Sequence, residues 1–88
     1  MRFVRITTDI HCEKGSPTYR LYINEELFTE RTFIYHGNYL TENFQIEAPP
    51  GMYQIRLETV GKGKIRMKNT QVALGPAKVI DTRTFKIE

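Results

Sequence analysis

The sequence contains one cysteine, no tryptophan, four prolines and six glycines in 88 residues. A lone thiol, Cys12, excludes an intramolecular disulfide, so the fold must hold without a covalent staple. No segment approaches the roughly eighteen apolar residues of a membrane span. The opening Met1-Arg2-Phe3-Val4-Arg5-Ile6 lacks the unbroken apolar run of a signal peptide. The expectation is a soluble protein without membrane insertion. There is no glycine-rich phosphate loop followed by lysine and a hydroxyl, no HExxH and no GxSxG. RNP motifs, helix-turn-helix patterns and zinc fingers are likewise missing. An enzyme is therefore the weakest class, and no catalytic residue, metal or cofactor is expected.

What is present suits one small domain over residues 1–88. At 40% hydrophobic residues the chain can support a core. A mass of 10.3 kDa implies a folded surface of about 5,400 Å². The formal charge is +3, but it is unevenly spread. Residues 1–60 hold six basic and eight acidic side chains; residues 61–88 hold seven and two. The C-terminal third could thus form a positive patch.

No periodic helix of ordinary length occurs. Short alternating runs separated by turn residues dominate instead. In residues 2–8, Val4 and Ile6 share one face while Phe3 and Arg5 take the other. Residues 9–17 read as a polar loop ending in Gly15-Ser16-Pro17. Tyr19, Leu21 and Ile23 alternate along 18–23, before a tight turn at Asn24-Glu25-Glu26. A return strand follows from Leu27 through Arg31, Phe33 and Tyr35. His36-Gly37-Asn38 marks a turn, and Pro49-Pro50-Gly51 marks the clearest one. Glu42 misfits the alternation of Leu40, Phe44 and Ile46, which argues for a strand starting only at Asn43. The cleanest strand is 52–59, with Tyr53, Ile55 and Leu57 on one face. Ile65 and Met67 belong to the next strand, and Asn69-Thr70 suggests a bend before Val72 and Leu74. Phe85 and Ile87 close the core.

Seven or eight short strands, with turns every eight to twelve residues, predict an all-β antiparallel sandwich or jelly-roll-like domain. A small barrel is the alternative. The expected core is Val4, Ile6, Leu21, Ile23, Phe33, Phe44, Ile46, Tyr53, Ile55, Leu57, Ile65, Met67, Val72, Phe85 and Ile87.

Three groups of residues invite a functional reading. His11, Cys12 and Glu13 are adjacent metal-ligand types, yet neighbouring side chains of an extended strand diverge; a site would need another ligand, such as His36. Lys62, Lys64, Arg66 and Lys68 fall at period two on one strand face. They suit phosphate or an acidic surface, but lysines also protect a sheet edge. Five tyrosines are many for this length. Tyr22 and Tyr39 are the ones placed for contact, together with Phe3, because Val4 and Ile6 already claim the other face. The resulting expectation is a non-enzymatic structural or protein-interaction domain. Its partner would be another protein or a second copy in a larger assembly, such as a virion component. The alternatives are a carbohydrate- or ligand-binding module, and a nucleic-acid-binding domain using the basic strand.

Overall fold

The computed structural model describes residues 1–33 and 39–88. Among them the chain forms eight strands: β1 (Arg2–Gly15), β2 (Thr18–Ile23), β3 (Glu26–Thr32), β4 (Tyr39–Ala48), β5 (Gly51–Val60), β6 (Gly63–Leu74), β7 (Ala77–Asp81) and β8 (Thr84–Ile87). They make two antiparallel sheets, one in the order β4-β1-β6 and one in the order β3-β2-β5-β8-β7. The arrangement is a β-sandwich of two separate sheets. Its accessible surface, 5397 Å², is that of a compactly folded chain of this mass. No helix among the described residues is long and apolar enough to cross a membrane.

Alternation builds the core. From the three-stranded sheet come Val4, Ile6, Ile10, Phe44 and Met67. From the five-stranded sheet come Tyr19, Leu21, Ile23, Ile55, Phe85 and Ile87. Ile46, Tyr53, Leu57, Ile65 and Val72 pack against this cluster. Phe33 is buried just beyond β3, where its N–H donates to Pro17 O at 2.9 Å.

Three local expectations are corrected. Residues 9–15 are the second half of β1, not a loop, and Ile10 is fully buried. Strand β4 begins at Tyr39 rather than Asn43, and it carries Glu42 into the interior. The bend at Asn69-Thr70 does not end a strand. Asn69 takes a φ of 57° inside a continuous β6, where the register against β1 shifts. The buried Thr8 hydroxyl meets Thr70 Oγ1 there at 3.0 Å, and Thr70 in turn donates to Thr82 O at 2.6 Å. That chain satisfies polar groups next to the irregularity and ties it to the β7–β8 turn. Tyr35 and the His36-Gly37-Asn38 turn lie outside the described residues.

The Asn24-Glu25 hairpin has positive φ at both central residues, 49° and 66°, the twist-matched form for a two-residue connection. Asn24 also closes onto β5: its N–H donates to Gln54 O, and its Oδ1 accepts from Gln54 N, both at 2.9 Å.

Candidate interaction face

The residues singled out for contact divide between the two outward faces of the sandwich. On the five-stranded sheet, Tyr22 lies opposite Arg56 in register, and the Arg56 guanidinium sits 4.0 Å from the centre of its ring. Its hydroxyl donates to Glu58 at 3.2 Å. Arg20 pairs with Glu30, and also with Glu58 at 3.1 Å; Arg56 pairs with Glu25 at 3.0 Å. Tyr22 is thus half-buried within a lattice of paired charges. The Glu58 carboxyl is held below its usual range by the hydrogen bond from Arg20, with burial opposing and Arg56 and Tyr22 adding to the effect.

The three-stranded sheet is built differently. Its central strand β1 turns Phe3, Arg5, Thr7, Asp9 and His11 outward, and registers β4 and β6 on either side. Cross-strand rows result: Tyr39–His11–Arg66, Thr41–Asp9–Lys68, Asn43–Thr7–Gln71 and Gln45–Arg5–Leu74. Phe3 lies beyond the last row, opposite Glu47. Phe3 and Leu74 are 44% and 48% exposed, on neighbouring strands. Gly75 permits that approach. It has a φ of +95°, and a Cβ there would stand 2.3 Å from Phe3 O. Arg5 Nε is buried with no hydrogen-bond partner among the described residues, a condition that costs about 1–3 kcal/mol.

At the opposite end of this face, Tyr39 stacks on His11 with ring centres 5.1 Å apart and remains 57% exposed. Lys64, Arg66 and Lys68 do share one face of β6, an edge strand; Lys62 lies in the turn before it. Glu13 pairs with Arg66 at 2.6 Å and with Lys64 at 3.7 Å. Asp9 stands opposite Lys68 and accepts hydrogen bonds from Thr41 and Asn69. His11 and Glu13 point outward with these groups. Cys12 packs against the core, and its thiol donates to Gly15 O at 3.1 Å. The described residues hold no group of three metal-ligating side chains in reach of one ion, and His36 lies outside them.

One buried polar cluster joins the sheets. Glu42, 6% exposed on β4, accepts from Tyr19 Oη at 2.6 Å and from Arg31 Nε and Nη2 at 3.0 and 3.2 Å. Burial, reinforced by the Glu42 carboxylate, pushes the Tyr19 phenol far above its usual pKa. An open depression at the end of the five-stranded sheet is lined by Glu25, Arg56, Asp81 and Arg83 among others. Its carboxylates are already engaged, Glu25 by Arg56 and Asp81 by the Arg83 N–H at 2.9 Å.

Alternation points to Phe3 and Tyr22, and nearness to the Gly37-Asn38 turn points to Tyr39. Leu74, Arg5 and the Tyr39–His11–Arg66 row depend on β1 lying between β4 and β6, a pairing that no local pattern carries. Comparison with family models, curated proteins and solved structures returns no match.

Proposed function

We propose that this protein is a non-enzymatic assembly subunit that self-associates through its three-stranded sheet. One observation carries the reading: Phe3 and Leu74 stand exposed on neighbouring strands of an outward face that no strand among the described residues covers. Exposed apolar groups beside polar rows are the anatomy of a protein contact. The engaged carboxylates of the open depression also favour binding over bond chemistry.

Light scattering across protein concentration and salt tests the reading. The expected result is a mass above 10.3 kDa that falls with Phe3→Asp or Leu74→Asp while the circular dichroism stays unchanged. A 10.3 kDa species under every condition would overturn self-association.

The Tyr39–His11–Arg66 row favours a second reading, single-stranded nucleic acid stacked on the aromatic pair with its phosphates on Arg66 and Lys68. Its signature is binding that weakens steeply with salt and is lost with Arg66→Glu. Glu13 and Asp9, set among these cations, weigh against it.

A further inference from the structure

The two sheets have four edge strands among the described residues, and three are blunted. Strand β6 carries Lys64, Arg66 and Lys68 and shifts register against β1 in three places. Strand β3 carries Glu26, Glu30 and Arg31 and is interrupted opposite Leu21 and Tyr22. Strand β7 is five residues long, carries Lys78 and Asp81, and is also interrupted. Charge, bulges and shortness are the usual means by which an edge refuses another strand.

Strand β4 is neither short nor bulged, and its one outward charge lies near its end. It registers against β1 through ten consecutive pairs without a shift. It contains no lysine, arginine or proline. Its outward residues Tyr39, Thr41, Asn43 and Gln45 are uncharged, and only Glu47, near its end, adds a charge there. The other carboxylate, Glu42, is turned inward and held by Tyr19 and Arg31. A straight edge of ten residues offers about 33 Å of alternating N–H and C=O groups.

We propose that β4 is the edge along which two copies of this chain pair antiparallel, joining their three-stranded sheets into one six-stranded sheet. This rests on the self-association reading above and adds to its Phe3–Leu74 face a second contact, along the edge of the same sheet. The strand is self-complementary. A two-fold axis through Asn43 sets Tyr39 against Glu47 of the second copy and Thr41 against Gln45, so the phenol donates to the carboxylate and no like charges meet. On the inward side the same axis brings Leu40 against Ile46, both incompletely buried in one copy. Phe28, exposed while its ring lies edge-on to Phe44 at 5.0 Å, flanks the same side of the sandwich. A second copy therefore receives main-chain hydrogen bonds and covers apolar surface at one isologous contact. Exposed Phe3 and Leu74 lie toward the far side of the sheet, away from this axis, and remain open for a further contact.

The test uses the full chain and three proteins, each measured by light scattering from micromolar to millimolar concentration. The unaltered chain is expected above the mass of a dimer, because the edge and the Phe3–Leu74 face each join copies. The Thr41→Lys/Gln45→Lys variant sets lysine against lysine across the axis and is expected to halve that mass. The Thr41→Lys/Gln45→Glu variant sets opposite charges in the same places and is expected to restore it. Both substitutions are on exposed side chains, and circular dichroism verifies that each variant is folded. A mass that the lysine pair leaves unchanged, or one that the charge-swapped variant fails to restore, overturns the β4 contact. If that unchanged mass falls with Phe3→Asp, self-association stands and only the edge assignment falls. A monomer at every concentration overturns both.

Discussion

The two outward faces of this sandwich handle charge in opposite ways. On the five-stranded sheet, Arg20, Arg56, Glu25, Glu30 and Glu58 are interleaved so that each cation meets a carboxylate, and Tyr22 lies beneath one of them. On the three-stranded sheet, the ion pairs among the described residues lie at the end near Glu13, and the outward rows otherwise set Arg5, Asp9, Glu47 and Lys68 among threonine, asparagine, glutamine, Phe3 and Leu74. The first face matches its arginines and glutamates within itself, yet it also leaves Leu27, opposite Tyr22, and Met52 and Val60 exposed. The second leaves Phe3 and Leu74 exposed beside rows of mostly uncharged polar side chains. Burial alone does not separate the two; the difference lies in whether each exposed group already has a neighbour of complementary chemistry.

The largest effect is expected where the two sheets meet. Glu42→Ala removes the acceptor of a buried phenol and the carboxylate that Arg31 grips, and should cost about 3 kcal/mol in urea unfolding. Glu42→Gln keeps an acceptor and should lose less. Equal losses for the two variants would mean that the cluster contributes volume rather than hydrogen bonding. Next comes Gly75→Ala. A Cβ meeting the Phe3 carbonyl, on a backbone at positive φ, should cost about 2 kcal/mol. It should also disturb the Phe3–Leu74 approach, seen as amide shift changes along both strands. A neutral effect would show that β6 can end against β1 without glycine.

How much of this was legible depends on the distance between partners along the chain. Residues 52–59 and 18–23 announce themselves, because Tyr53, Ile55 and Leu57, and Tyr19, Leu21 and Ile23, fall at alternate positions. The second half of β1 hid behind its inward residues: Thr8 and Cys12 are small or polar, and Gly15-Ser16-Pro17 suggests a loop. Yet Thr8, Ile10 and Cys12 keep the period of two, which was the available signal. Glu42 looked like a reason to shorten β4, since its partners Tyr19 and Arg31 lie 23 and 11 residues away. Asn69 read as a bend because a bulge and a turn draw on the same residue types. The same limit governs the candidate face. Which side Phe3 takes is local information, whereas its nearness to Leu74 belongs to the pairing of β1 with β6.

A matched pair of aromatic truncations sharpens the comparison. Tyr22→Ala removes a half-buried ring that Arg56 covers, and should cost about 1–2 kcal/mol while leaving the solution mass unchanged. Phe3→Ala should change stability by within about 0.5 kcal/mol and reduce association. The reverse pattern, with mass controlled by Tyr22, would move the contact to the five-stranded sheet.

The smallest effect is a dependence on acidity that belongs to the paired face. Arg20 donates to Glu58 in the folded chain and holds its carboxyl below the usual range, against the opposing influence of burial. The folded state therefore binds this proton less readily than the unfolded chain does. Above the ordinary glutamate pKa of about 4.3, the group contributes its full stabilisation. As pH falls below that value the unfolded chain takes up the proton first, and the contribution is lost through the depressed folded pKa. Urea midpoints measured from neutral pH down to about pH 2 should accordingly fall less steeply in Glu58→Gln than in the unaltered chain. Parallel acid limbs would show that the Arg20–Glu58 pair leaves the folding equilibrium untouched. The matched charges of that face would then serve to keep other chains away rather than to hold the sheet together.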